Sequence, residues 1–150
     1  MLTVIVLILI ALLGYILFHQ VKAVLQIKVR ESHKRIYYMT PVIIAIIFLE
    51  VGFEYGEEFI HYVLFILVAL NFVAIPFVSG LSKEAVYYKP NKRGITGFIP
   101  QARPLLDVQE SHIEKVDDHF TVDFSFEKEI VSVRFSNENL DDVLQILERT

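Results

Sequence analysis

The stretch Leu2–Phe18, which reads LTVIVLILIALLGYILF, decides the fold class of this chain. It contains no Asp, Glu, Lys, Arg or His. Two further apolar stretches of similar length follow at Ile36–Phe53 and Phe59–Val78. A transmembrane helix needs about 20 predominantly apolar residues to cross a hydrocarbon layer of roughly 30 Å. The sequence therefore predicts a membrane region over residues 1–80, with three transmembrane helices near residues 2–18, 36–53 and 59–78.

The composition excludes several classes of protein. The 150 residues are 54% hydrophobic and include no cysteine, so disulfides, thiolate zinc sites, iron–sulfur clusters and cysteine nucleophiles are ruled out. No cofactor is predicted, and any metal would need His and carboxylate ligands. Residues 79–150 carry nine Lys and Arg against thirteen Asp and Glu. This acidic excess argues against a nucleic-acid partner.

The basic residues between the first two spans predict the orientation. Five Lys and Arg lie there with one acidic residue, Glu31; they are Lys22, Lys28, Arg30, Lys34 and Arg35. The connection between the second and third spans, residues 54–58, has no Lys or Arg. Cytoplasmic loops are enriched in Lys and Arg. We therefore expect a multi-pass protein of the bacterial inner membrane, with its N-terminus outside and its C-terminus in the cytoplasm.

Residues 20–35 have two interpretations. Val21, Val24 and Leu25 fit one face of a helix, whereas Leu25, Ile27 and Val29 alternate with polar residues as in a strand. The interpretation we favour is a helix that continues from the first span.

The chain after residue 80 has the pattern of a small β-rich domain, residues 81–150. Phe120–Phe126 and Val131–Phe135 alternate between apolar and polar residues, which predicts two strands joined at a Glu127–Lys128 turn. Shorter strands are predicted at Ala85–Lys89, Ile95–Ile99 and Ile113–Val116, separated by residues 90–94 and 100–104. A C-terminal helix is predicted from the apolar stripe Leu140, Val143, Leu144 and Leu147, with Asn139 as its cap and Arg149 in its last turn.

This domain resembles a pleckstrin-homology-like module over residues 84–150. The residues that carry the resemblance are Gly94-Ile95 and Phe98-Ile99-Pro100 at the ends of one strand, Ile113 and Val116 in the next, the turn at Glu127, and the stripe Val143, Leu144 and Leu147. The chain departs from the family pattern at Leu105–Val108, where such modules often carry a Trp-x-x-Ile type segment. The resemblance implies a fold of strands closed by one helix and a binding role without catalysis.

The resemblance also implies a site for lipid headgroups or a partner at Lys89, Lys92 and Arg93, in the first loop between strands. Each cation near an anionic leaflet contributes about 1 kcal/mol. The simpler interpretation, which we favour, is that these residues keep the loop solvated and mark the cytoplasmic side.

A second candidate site lies around the connection between the second and third spans. Glu50, Glu54, Glu58 and His61 carry it; Glu50 and Glu54 share a helix face, and Glu58 and His61 have Glu-x-x-His spacing. Folding of the hairpin is expected to bring His61 to the level of Glu50. The functional interpretations are a proton-accepting pair, a divalent-cation site and a contact with another membrane subunit. We favour a solvated tip, because one Glu-x-x-His supplies only part of a metal site.

These features predict a non-catalytic membrane adaptor, regulator or accessory subunit. Its partners would be other membrane or cytosolic proteins or the lipid bilayer, and a homo-oligomer is compatible with the sequence. No Gly-x-Ser-x-Gly or comparable nucleophile turn is present. The alternative is a transport or catalytic subunit that uses Glu50 and His61 to handle protons or cations.

Overall fold

The computed structural model describes residues 2–90 and 95–148 and contains three long apolar helices. These are α1, Leu2–Gln26; α2, Arg35–Tyr55; and α3, Phe59–Ala74, which a 3-10 turn extends through Phe77. Within the described residues, these three helices are long and apolar enough to cross a membrane. The prediction of three long apolar helices is therefore confirmed, with α1 running past the predicted end at Phe18. The α-helix of the third span ends at Ala74, and the chain continues as a 3-10 turn, Ile75–Phe77, that contains Pro76, which has no backbone N–H to donate.

The three helices form one compact unit, which we call the membrane unit: residues 1–22 and 34–76. Asn71 lies in the last turn of α3 and is 5% exposed. Its amide donates hydrogen bonds to the Leu67 carbonyl at 2.8 Å and to the Leu13 carbonyl of α1 at 3.2 Å. In a lipid environment such a bond between helices is worth about 0.6 kcal/mol on average. Asn71 therefore links α3 to α1 inside the membrane unit.

Helices α2 and α3 approach closely at Gly52. This glycine is buried, and a Cβ atom at its position would lie 2.7 Å from Cβ and Cγ of Phe65. Small residues at such crossings let two helix backbones come near each other in a membrane. The hairpin therefore depends on the missing side chain at this position.

We expect Gly52→Ala to destabilise the α2–α3 hairpin by about 1–3 kcal/mol, the usual cost of overpacking a tight contact. Gly14→Ala in α1 is the matched control, because nothing lies within 4 Å of a Cβ placed there. Unfolding of both variants in mixed micelles, followed by the helical circular dichroism signal, measures the difference. Equal midpoints for the two variants would contradict the close packing at Gly52.

The segment after α1 resolves the ambiguity of residues 20–35. The helix continues to Gln26, as expected, and then gives way to a two-residue strand, β1, Val29–Arg30. Strand β1 pairs antiparallel with β2, Gly80–Leu81, so that Val29 faces Leu81. Hydrogen bonds from the Lys28 amide to Leu81 at 2.9 Å and from the Glu31 amide to Ser79 at 3.0 Å flank this pair. Both interpretations were therefore right for different parts of the segment.

In the described residues, seven strands form two antiparallel sheets. The first has the order β1-β2-β3-β4, in which β3 is Ala85–Tyr88 and β4 is Gln101–Pro104. The second has the order β5-β6-β7, in which β5 is Glu110–Val116, β6 is His119–Ser125 and β7 is Ile130–Ser136. The predicted alternating strands and the turn at Glu127–Lys128 are confirmed.

One apolar core joins the two sheets to the C-terminal helix α4, Leu140–Leu147. Phe120, Phe124 and Phe135 are fully buried in it, and Val143 of α4 and Val29 of β1 belong to the same cluster. This compact unit comprises Ala23–His33 and the chain from Phe77 onward, and we call it the β-rich domain. It differs from the predicted span of residues 81–150 by including the segment between the first two membrane helices.

Four local predictions about this domain were wrong or fall outside the described residues. Ile95–Phe98 is a 3-10 turn instead of a strand, and residues 101–104, predicted as a separator, form β4 by pairing with β3. Pro104 is tolerated because β4 is an edge strand. Asn139 stands at the N-cap of α4 without a side-chain capping bond. Arg149 lies outside the described residues.

Candidate functional site

The predicted carboxylate cluster contains one assembled pair, Glu58 with His61, at the start of α3. The Glu58 carboxylate accepts a hydrogen bond from the His61 backbone N–H, and His61 Nδ1 accepts one from the Glu58 backbone N–H at 3.3 Å. This is the reciprocal arrangement of a capping box, which satisfies helix N–H groups that lack partners within the helix. The Glu-x-x-His spacing therefore serves the first turn of the helix.

The other two members of the predicted cluster lie exposed on α2. Glu50 and Glu54 are exposed, and neither side chain has a hydrogen bond or ion pair with another described residue. Across residues 2–90 and 95–148, no group of three or more His, Asp and Glu is placed to hold a metal ion. Nearby, Tyr62 donates a 2.6 Å hydrogen bond to the Gly56 carbonyl and so closes the turn between α2 and α3.

A different cluster of ionisable groups, which sequence reasoning missed, lies in the β-rich domain around Glu31. Glu31 follows β1, and its carboxylate is hydrogen-bonded to the Ser79 side chain and the Arg134 backbone. The next residue, Ser32, donates from its backbone to the Arg134 carbonyl at 2.7 Å. His33 Nε2 lies 3.5 Å from the Glu31 carboxylate. The segment therefore runs along the edge of β7.

Lys89, the first of the three predicted headgroup-binding cations, belongs to this Glu31 cluster. It is half-buried, and burial lowers the pKa of its ammonium group while the charge of Glu31 acts in the opposite direction. Its charge is therefore partly countered inside the domain. Lys92 and Arg93 lie outside the described residues, so the site predicted in that loop stays a prediction.

The Glu31 cluster makes stability depend on pH. Burial raises the pKa of the Glu31 carboxyl above its ordinary 4.5, against the hydrogen bonds from Ser79 and Arg134. Burial and the charges of Lys89 and Arg134 lower the pKa of His33 below its ordinary 6.5. The folded domain thus holds the Glu31 proton to a higher pH than the unfolded chain does, and it releases the His33 proton at a lower pH.

Because the pKa of Glu31 is raised in the folded domain, the free energy of unfolding falls as the pH rises above 4.5 toward the folded pKa. Because the pKa of His33 is lowered, the free energy of unfolding also falls as the pH drops below 6.5. We expect Glu31→Gln to stabilise the domain at pH 7 and to lose this advantage below pH 4.5. Hydrogen exchange of β7 amides at several pH values measures this difference in stability between the variant and the wild type. Glu127→Gln at the exposed hairpin tip is the control; a Glu31→Gln effect independent of pH would contradict the linkage.

A second cluster connects the two sheets of the domain. Arg103 of β4 contacts Oε1 of Glu129 through Nε at 2.8 Å and Nη2 at 2.6 Å. The Tyr88 hydroxyl of β3 donates to the same oxygen at 2.7 Å. Since Glu129 precedes β7, these bonds hold the β6–β7 turn against the first sheet. The cluster has a structural role in the domain.

An open groove lies beside α4 in the β-rich domain. Its volume is about 500 Å³. Its lining residues are Lys28, Val29, Lys83, Glu84, Asp142, Gln145 and Ile146. Two cationic side chains, Lys28 and Lys83, and two anionic ones, Glu84 and Asp142, line it, which suits a polar partner surface better than an apolar ligand. The periodicity of the sequence gave no signal for this groove, because three separate chain segments build it.

Comparison of the chain with family models, curated proteins and solved structures finds no match.

Proposed function

We propose that the protein is a non-catalytic integral membrane adaptor, regulator or accessory subunit. The observation that carries this proposal is the order in which the chain passes through the two units. The chain passes from the membrane unit into the β-rich domain after Lys22, returns at Lys34, and enters the domain again at Phe77. Three covalent connections therefore tie one folded domain to membrane helices, and a molecule bound to the domain is held at the membrane.

The proposed domain fold is pleckstrin-homology-like. Within the described part of the chain, seven strands in two antiparallel sheets, closed by a C-terminal helix, support it. The fully buried Val143 fixes that helix to the core of both sheets. Because fold alone does not give function, we infer the proposed ligands from the charged residues of the domain. They are a protein partner in the groove beside α4, or anionic lipid headgroups at Lys92 and Arg93.

The proposed orientation places the β-rich domain in the bacterial cytoplasm, supported by the basic residues that flank it. Because the chain has no cysteine, single-cysteine variants report topology directly. We expect Glu57→Cys to react with a membrane-impermeant maleimide in intact cells, and Lys128→Cys to react only after permeabilisation. Labelling in the reverse order would contradict the orientation and the cytosolic role.

Affinity purification of the full chain in mild detergent tests the protein-binding arm. The groove variant reverses two charges, Lys83→Glu with Asp142→Lys, and the control reverses two charges elsewhere, Lys128→Glu with Asp141→Lys. A specific partner should co-purify with the wild type and the control and be lost from the groove variant. Equal recovery with both variants would exclude the groove as the partner site.

Nanodiscs test the lipid-binding arm. With phosphatidylglycerol in the disc, we expect the amides of residues 85–89 to exchange more slowly than in phosphatidylcholine discs. The variant Lys92→Gln with Arg93→Gln should lose this protection, whereas Lys115→Gln with Lys128→Gln should keep it. If all three proteins behave alike in the two lipids, headgroup binding by this loop is refuted.

The alternative is a transport or catalytic subunit that uses Glu50 and His61. Such a subunit would need the membrane helices for its activity, whereas an adaptor would need the β-rich domain. The capping bonds of His61 give that residue a structural role. If Glu50→Gln abolished the cellular activity of the protein while deletion of residues 83–150 did not, the adaptor proposal would fail.

A further inference from the structure

Strand β5, Glu110–Val116, is an open sheet edge. It pairs with β6 on one side, and in the described chain no other strand lies on its other side. Six of its seven residues are exposed, and Ile113 is half-buried against the core. The opposite edge of the same sheet, β7, is covered at Arg134 by the backbone of Ser32. A long exposed edge is a template for another strand.

The hydrogen-bond pattern shows which backbone groups of β5 face outward. Val116 and His119 close a turn of two residues, and the Gln109 amide donates to the Ser125 carbonyl at 2.9 Å beside the Glu110–Ser125 pair. In such a hairpin the even-numbered residues of β5 exchange hydrogen bonds with β6. The N–H and C=O groups of Ser111, Ile113 and Lys115 therefore point to the open edge.

We propose that a second copy of this chain pairs with this edge, strand β5 against strand β5 in antiparallel register, with Ile113 opposite Ile113. The pairing would join two three-stranded sheets into one sheet of six strands. The three outward-facing residues of each copy supply about six hydrogen bonds between the copies. This inference stands whether or not the domain binds a partner in its groove or a lipid.

The charges of the facing side chains decide the register in which the two β5 strands pair. With Ile113 opposite Ile113, His112 of each copy faces Glu114 of the other, and Ser111 faces Lys115. Moving the register by one pair places two His112 together and Glu110 opposite Glu114, and moving it the other way places two Glu114 together. Like charges directly opposite one another destabilise a sheet, and opposite charges stabilise it. The self-complementary register is the one in which no acidic residue faces another.

The same register satisfies the two-fold symmetry of a dimer. A two-fold axis through Ile113 keeps both core faces on one side of the joined sheet, because residues directly opposite one another point to the same face. Ile113 lies opposite Val122 of the buried β6 face within its own chain. Pairing would therefore bury more of Ile113 beside its counterpart, in a closed interface that uses the same patch twice.

Single-cysteine cross-linking in membranes tests the proposal with the full chain. In the proposed register the two Ile113 Cα atoms lie about 5.5 Å apart, within the disulfide range. Ser111→Cys and Lys115→Cys, on the same face, place their Cα atoms about 14 Å from their own counterparts. We therefore expect Ile113→Cys to form a dimer on mild oxidation. Ser111→Cys and Lys115→Cys alone should form none, but the two mixed in one membrane should cross-link.

A dimer with Ile113→Cys and with the mixed pair supports the proposal. Equal cross-linking of all variants would indicate random collision, and cross-linking of His112→Cys or Glu114→Cys in place of Ile113→Cys would indicate another register; both overturn it. The absence of any dimer overturns it as well.

A second measurement does not rely on cysteine. Ser111→Pro removes an outward-facing N–H that does not pair with β6, so the domain should fold while the dimer weakens. Glu114→Lys should also weaken the dimer, and adding His112→Glu should restore it by exchanging the two charges. Sedimentation in detergent, together with chemical cross-linking, measures the fraction of dimer in each of these variants. A dimer unchanged by Ser111→Pro and Glu114→Lys contradicts pairing through this edge.

Discussion

Gly80→Ala is expected to separate β1 from β2 and to release the segment Lys28–Glu31 from the β-rich domain. Gly80 has a φ of 151°, a conformation that L side chains rarely adopt. A Cβ there would collide with the Val29 carbonyl oxygen, and it would lie 2.8 Å from Cγ2 of Ile27 and 3.0 Å from Cα of Arg30. Because these neighbours include backbone atoms, a side-chain rotation cannot relieve the clash.

The cost of Gly80→Ala adds an unfavourable backbone conformation of about 1–3 kcal/mol to two lost hydrogen bonds of about 1 kcal/mol each. Those bonds are from Lys28 to Leu81 and from Glu31 to Ser79. Arg30, whose guanidinium lies 5.5 Å from the centre of the Phe77 ring, would move as well. Hydrogen exchange of the Lys28 and Glu31 amides should therefore accelerate by at least about two orders of magnitude.

Gly14→Ala is the control for this experiment, because a methyl group there meets open space. Unchanged protection of Lys28 and Glu31 in Gly80→Ala would show that β1 is held to the domain by something other than its pairing with β2.

Phe124→Ala is expected to unfold the β-rich domain and leave the membrane helices formed. Phe124 is fully buried in β6, opposite Val131 of β7 and Ser111 of β5. Truncating a buried Phe costs about 3–5 kcal/mol through lost burial and the cavity left behind. Domains have only about 5–15 kcal/mol of stability, and small ones lie near the low end. The loss is therefore comparable with the whole stability of this domain.

Limited proteolysis of the detergent-solubilised protein measures this effect. We expect rapid cleavage within residues 110–136 of Phe124→Ala, together with a retained helical circular dichroism signal. Ser132→Ala is the control, since its side chain is exposed on the neighbouring strand. A Phe124→Ala variant as resistant as the control would contradict the assignment of this residue to a single shared core.

The sites were harder to predict than the spans because their residues are brought together from distant segments. Glu58 and His61 are three residues apart, and their spacing was visible, but the same spacing serves a metal ligand pair and a helix cap. The Glu31 cluster joins residues 31, 33, 89 and 134, and the groove beside α4 joins residues 28, 83 and 142. No local pattern marks such combinations.

The sequence by itself determined the elements whose cause is local. The three membrane helices follow from apolar length, because a bilayer requires each span to satisfy its own backbone hydrogen bonds. Strands β6 and β7 and helix α4 follow from apolar periods that match one buried face. Only the tertiary structure decided that Val29–Arg30 is a strand, that Gln101–Pro104 is a strand and that Ile95–Phe98 is not. A strand of two to four residues is too short to carry a period, and its hydrogen-bond partner lies elsewhere in the chain, about 50 residues away for β1.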